Sequence, residues 1–345
     1  MKQSLLILAL LLFFSNGTAQ DAQIPSSKYV CPPCDLPCDE DEHDEPGKCS
    51  YCNMTLIKKD EVKTVAFYLQ DRVEVLDFAG PMEVLAYAGF NVFTVSATED
   101  PIKSQGILKV LPDYTIENAP KADILAFFGG NASSAAKNEK VIEWVQNQEN
   151  VEYYFSVCTG AFILAEAGIL DGKTATTFHN SLDNLQEQYP KINVKKNVRF
   201  VDNGQVVTTA GISAGIDGAL HLVAKLRGLN EAKRIAFTME YDNWRLGNGL
   251  ILTKDNPYHR VKPIPELTAY EGIYEYKDGS EIDVKLNGRD GGLYAIIKEI
   301  PYPIYHENED VFSDIGNDPI YFKRNESGAI IGYTLSQEGT LYKRL

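Results

Sequence analysis

Three short stretches of this sequence carry residue types that could do chemistry together. In FSVCTGAFILAEAGIL, residues 155 to 170, a strand-like run meets Cys158, then Thr159 and Gly160, then a run with helical spacing. A thiol at such a corner faces the unpaired N–H groups and positive dipole end of the following helix, which favour a thiolate. Open α/β sheets also place their sites at the carboxyl ends of strands, where this residue should lie. Gly160 permits the tight turn, as small residues do around a nucleophile elbow. The competing reading is a buried structural cysteine, since free cysteine is among the most buried residue types.

Two further stretches bear on that choice. FFGG, residues 127 to 130, ends a strand-like run with Gly129 and Gly130, whose N–H groups could approach a bound ligand and cradle a developing oxyanion. VEVLDFAGPMEVLAYAG places Asp77 in the loop between a first strand and its helix. A carboxyl group beside a thiol is expected to share a proton with it and to act as donor or general acid/base.

These residues need a frame. VKTVAFYLQ, FNVFTVSA, ADILAFFGG, VEYYFSV and QVVTTAG read as strands, and PMEVLAYAG, NEKVIEWVQNQ, TGAFILAEAGIL, SLDNLQEQY and AGIDGALHLVAKLRG as helices between them. Strand and helix alternating over residues 62–249 predict a parallel sheet covered on both faces. A Pro-rich linker, residues 250–267, leads to short Val-, Ile- and Tyr-rich runs separated by DG, NGRDGG and NESG. These hairpin signals predict a small antiparallel β domain over residues 268–345.

LDFAGPMEVL, FFGGN, CTGAFILAEAGILDGKTATT, TTAGISAGIDGALHLVAKL and MEYDNW, in this order, resemble the ThiJ/PfpI superfamily of class I glutamine-amidotransferase-like proteins, in its isonitrile hydratase and AraC-type-regulator branch. The resemblance implies a flavodoxin-like sandwich with Cys158 as nucleophile, Asp77 as the acidic residue of the first loop, and Gly130 with the Thr159 N–H as oxyanion donors. It implies no cofactor for catalysis. Peptidase-like members carry His directly after the cysteine, where this chain has Thr159, so a peptidase is disfavoured. Other relatives have a His directly after the TT pair, whereas here Phe178 stands there and His179 follows. A one-residue shift turns a side chain to the other face, so His179 is a pocket candidate with a capping or surface role as its alternative.

The first nineteen residues have Lys2, an apolar stretch from Leu5 to Phe14 and small residues at Gly17 and Ala19, the pattern of a secretory signal peptide. A periplasmic or secreted protein is expected, with no membrane span after cleavage. Residues 28–59 then place Cys31, Cys34 and Cys38 ahead of Cys49 and Cys52. Two CxxC knuckles can close a tetrahedron of thiolates on Zn, or on Cu with Met54 near, while oxidation to disulfides is the alternative in an exported chain. PGKCSYCNMTL resembles an exported heavy-metal-binding domain, with CPPCDLPC departing from that family's first half. The C-terminal part resembles a lipocalin-like accessory β domain of exported hydrolases.

The formal charge of −15 repels phosphate backbones, and the β-rich tail stands where a regulator would carry its DNA-binding helices, so nucleic acid is excluded as a partner. The expected partners are a small-molecule substrate and, for assembly, a second copy in a homodimer. Two functions stay open: Cys158 attacking a small electrophile as a hydratase or hydrolase, or a non-enzymatic redox, ligand or metal sensor on the same fold.

Overall fold

The computed structural model describes residues 28–33, 36–241, 244–260, 263–288 and 291–345. Its centre is a mixed sheet built from β1 (Thr64–Tyr68), β2 (Asn91–Ser96), β3 (Tyr114–Thr115), β4 (Ile124–Phe127), β5 (Tyr153–Ser156), β6 (Phe200–Asp202), β7 (Val206–Thr209) and β8 (Leu250–Ile251). The order is β8-β6-β7-β5-β4-β1-β2-β3, all pairs parallel except β6 with β7. The chain runs outward from β1 through β2 to β3, then crosses back to β4 on the other flank of β1. The strand order therefore reverses between β1 and β4, where open α/β sheets build their sites.

Both faces of the sheet are apolar, because helices cover both. Val65, Phe67 and Leu69 join one buried cluster, while the alternating Ala66 and Tyr68 join the other. The first face is covered by α1 (Val75–Tyr87), α6 (Ala214–Leu226) and α7 (Leu229–Thr238). The second is covered by α2 (Ala132–Ala136), α3 (Glu139–Gln146), α4 (Ala161–Glu166) and α5 (Leu182–Gln188). Helix α1 starts at Val75, six residues before the expected Pro81, because Phe78, Val84 and Leu85 form one buried stripe that carries it past the proline. Asp77 consequently sits in the first turn of a helix and not in a loop.

Strand β8 occupies the first residues of the expected linker and pairs with β6 through Val201–Leu250 and Asp202–Ile251. Beyond it, Tyr258 donates to or accepts from His221 Nδ1 at 2.9 Å, and His221 Nε2 lies 2.8 Å from Asp202. His221 is fully buried, and burial outweighs the Asp202 carboxylate and holds its pKa below the ordinary value. It is thus a neutral ring holding the linker down, with Lys225 neutralising Asp202 at 3.0 Å.

The C-terminal part forms eight antiparallel strands in sequence order: β9 (Gly272–Glu275), β10 (Glu281–Leu286), β11 (Leu293–Ile297), β12 (Ile300–Asn308), β13 (Val311–Ser313), β14 (Pro319–Arg324), β15 (Ile330–Thr334) and β16 (Tyr342–Lys343). A bridge from Tyr274 to Arg344 nearly closes it into a barrel around Tyr270, Tyr274, Phe312 and Phe322. The N-terminal residues add a three-stranded sheet of Tyr29–Val30, Glu42–His43 and Ile57–Lys58.

One loop joins all three parts. Arg234 of α7, 8% exposed, donates to the Asp314 carbonyl, to Ser313 and to Glu307 at 2.9 Å, and its guanidinium stacks over Tyr305. Two residues on, the same loop accepts Thr55 at the Gly316 carbonyl and Lys48 at Asp318. Removing Arg234 leaves the buried Ser313 hydroxyl and the Asp314 carbonyl without their charged donor, while Glu307 stays solvated. Arg234→Ala is expected to destabilise the protein by about 2 kcal/mol and to expose the barrel's junction to protease, as read by denaturant titration and limited proteolysis.

Candidate active site

The three stretches meet at the carboxyl ends of β1, β4 and β5. Cys158 follows β5 with φ +57, a left-handed conformation that costs a non-glycine residue about 1–3 kcal/mol. Its own backbone is pinned to hold that shape: its N–H donates to the Ala210 carbonyl at 3.0 Å, and its carbonyl accepts the Thr177 hydroxyl at 2.6 Å. The result is an elbow that turns the sulfur out over the sheet ends while leaving the residue only 6% exposed.

Asp77 reaches the same point from α1 and is fully buried. Its Oδ2 accepts the Gly129 N–H at 2.8 Å, its Oδ1 accepts the Ile212 N–H at 3.0 Å, and the Cys158 thiol is its third partner. Burial pushes the carboxyl up to about 7 against the pull of these donors. Burial and the adjacent Asp77 charge push the thiol up to about 12, opposed by the Thr159 N–H. The two groups hold one proton between them over the range separating those values, and the proton's site decides which of them is the anion.

Gly129 is required by contact. A Cβ there would lie 2.6 Å from Asp77 Oδ2 and 2.7 Å from Cys158 Sγ, so any side chain would drive the acid and the thiol apart. Gly130 has φ +85 and is exposed. The bonds flanking its bridge to Val73 join Glu74 to Gly129 and Asn131 to Arg72, which leaves the Gly130 N–H directed away from that ladder. The Thr159 hydroxyl is buried and has no hydrogen-bond partner among the described residues. His179 is exposed and rests on Phe178, whereas Phe178 packs against the cluster that contains Cys158. A Cβ on Gly211 would meet Phe178 at 2.5 Å and Cys158 Sγ at 3.6 Å, so the aromatic ring walls the site where a histidine was expected.

Ile212 is the contributor that motif reading passed over. It lies in TTAGISAG, beyond β7, with φ +52 that turns its N–H onto Asp77. The signal was present in the glycine that follows a strand at the same end of the sheet.

Comparison with known proteins bears on this arrangement. A family model described as DJ-1/PfpI matches residues 63–225. Isonitrile hydratase from Pseudomonas putida is 34% identical over 180 residues, covering 51% of this chain and 78% of the hydratase. The chain belongs to the DJ-1/PfpI family. The transcriptional regulator CdhR of Pseudomonas aeruginosa is 29% identical over 177 residues, and the chain spans about half of that regulator's length, 52%. A solved ThiJ/PfpI protein from Pseudomonas syringae superposes with TM-score 0.50 at 27% identity, covering 54% of this chain and 79% of that one. The DJ-1/PfpI part is thus the central sandwich, and the two flanking modules lie outside the matched residues.

The N-terminal module gathers Cys31, Cys38, Cys49 and Cys52, with all four sulfurs within 4.8 Å of one another. A tetrahedral Zn–S distance of about 2.3 Å implies S···S edges of roughly 3.8 Å. The Cys31–Cys52 and Cys31–Cys38 separations of 3.1 and 3.9 Å lie around that value. N–H groups of Cys52 and Tyr51 lower the Cys49 thiol to about 7, while burial raises those of Cys31 and Cys38. The donor set fits a soft or borderline metal ion. Cys34, expected to share the first knuckle, lies outside the described residues, and Cys38 supplies the fourth sulfur.

Two outcomes follow for the DJ-1/PfpI site. Asp77 keeps its proton to higher pH when folded than when unfolded, so it stabilises the fold below about pH 4, and that contribution declines as pH rises through about 7. Asp77→Asn should flatten this slope in denaturation measured from pH 4 to 8. With its charge gone, the Cys158 thiol should titrate lower, moving the pH midpoint of alkylation downward.

Proposed function

We propose that the chain is an exported, cysteine-dependent hydratase of a small electrophilic carbon, of the isonitrile kind. The reading rests on one observation: a buried carboxyl and a thiol that share a proton at a helix-capped elbow. The hydratase relative has this reaction in its name, and that is the basis for choosing the substrate class. The leader sequence supports export.

In the first step, the thiolate sulfur bonds to the terminal carbon of R–N≡C while Asp77 delivers its proton to that carbon, giving the thioimidate R–N=CH–S–Cys158. Water then adds to the same carbon, Asp77 taking one of its protons and passing it to the nitrogen to give R–NH–CH(OH)–S–Cys158. The hydroxyl proton leaves through Asp77 to the sulfur as the C=O bond forms and the C–S bond breaks, releasing the formamide R–NH–CHO and the thiol. The Thr159 and Gly130 N–H groups are assigned to the charge that builds on the adduct. Thr159 in place of histidine argues against peptidase chemistry.

The purified chain is expected to convert an alkyl isonitrile to its formamide. Cys158→Ala should lower kcat/KM by about a thousandfold or more, and Asp77→Asn by about a hundredfold. The wild-type rate should rise through about pH 7, as the pair loses the first of its two protons, and this limb should vanish in Asp77→Asn. Absence of turnover across isonitriles, nitriles and reactive carbonyls would overturn the reading.

We further assign a zinc ion to Cys31, Cys38, Cys49 and Cys52, where it would replace thiol protons and fix the N-terminal module. Native mass spectrometry of the reduced protein should find one zinc per chain, lost in Cys38→Ser and retained in Cys34→Ser.

A further inference from the structure

The turn that aims Ile212 at Asp77 is held at both of its ends by one residue. Ile212 is β-branched and sits at φ +52, a conformation that such a side chain resists. It is exposed, so apolar packing does not keep it there. The Gly211 and Ile212 carbonyls accept the N–H groups of Ala214 and Gly215, so the turn moves with the first residues of α6. Arg199, one residue before β6 and beside the end of β7, ties that unit to the sheet. Its carbonyl accepts the Ala210 N–H at 2.9 Å, ahead of the turn. Its guanidinium donates to Ser213 Oγ at 3.2 Å and to the Asp217 carboxylate of α6, beyond the turn.

Ser213 stands at the start of α6 and has the side chain of a helix cap, yet it makes no capping bond to its own helix. Its oxygen takes the Arg199 donor instead. Asp217 is 4% exposed, with the Tyr241 hydroxyl on its other oxygen at 3.2 Å, and a carboxylate at that depth needs a charged partner. We propose that Arg199 is a positioning residue for the Cys158 site: by gripping both ends of the Gly211–Ile212 turn, it holds the Ile212 N–H on Asp77. Its side-chain donors go to Ser213 and Asp217, so it acts on the acid through the turn. Without the Ile212 donor, the Asp77 carboxylate loses one of its two N–H partners and binds its proton more tightly.

The test reads the acid itself, by carbon NMR of the aspartate carboxyls in the full chain, with the Asp77 signal identified by its loss in Asp77→Asn. The double variant Arg199→Met with Asp217→Asn releases the grip, leaves the net charge unchanged and strands no buried carboxylate. Glu74 and Cys158, the titratable groups that bear on Asp77, stay in place. The Asp77 midpoint is expected to rise by about one pH unit, the worth of one hydrogen bond to a charged group. Ser213→Ala, which keeps the Arg199–Asp217 pair, should move it the same way by less. A merely structural arginine would lower the melting temperature and leave the midpoint where it was. An unmoved midpoint in the folded double variant, or in Ser213→Ala where the double variant does not fold, overturns the proposal. The rising limb of isonitrile hydration should move with the midpoint, and this limb alone rests on the hydratase reading. A moved carboxyl without turnover upholds the positioning role and rejects the reaction.

Discussion

A single buried carboxyl holds the reactive end of this molecule together. Asp77 takes the N–H of Gly129 on one oxygen and that of Ile212 on the other, and faces the Cys158 thiol. Its three partners come from the ends of three different strands, so the helix that carries Asp77 acts as a strut between them. The interaction constrains the sequence at a distance: the loop at 129 must be glycine, and the residue at 212 must accept a left-handed backbone. The same burial that makes the carboxyl a good strut also makes it a weak acid, which is what a proton carrier near neutrality needs.

Much of this was legible in the chain. Alternating strand and helix patterns announced the sandwich, since the strands are buried on both faces and read as apolar runs. Cys158, Asp77 and Gly129 stood out because each combines a reactive or permissive residue type with a strand end. The register of side chains around them was harder. Whether Phe178 or His179 faces the thiol depends on a one-residue phase that composition does not carry. Ile212 itself carries no mark because it contributes a backbone N–H, which any residue type has, and only the glycine before it signals the turn. The His221–Asp202–Tyr258 chain depends on contacts between segments far apart in sequence, and no local pattern marks it.

The cysteine module shows a similar limit. Two CxxC pairs point to a soft-metal site, yet the sulfurs that converge include Cys38, which stands outside both pairs. Spacing names the chemistry, while the fold chooses the ligands. The short strands around the module bury little, Cys31, Cys38, Cys49 and Leu56 being its core. Such a small unit gains most of its order from cross-linking at the centre and from what it leans on.

What it leans on sits near the other end of the chain. Lys48 meets Asp318 across 270 residues, and Thr55 meets Gly316 across 261. Synthesis delivers the cysteine module first and the barrel last. The first-made module therefore cannot settle onto its final support until nearly the whole polypeptide has emerged. Its thiols spend that interval outside the native assembly, and the order in which the chain is made becomes part of how its cysteines reach one another.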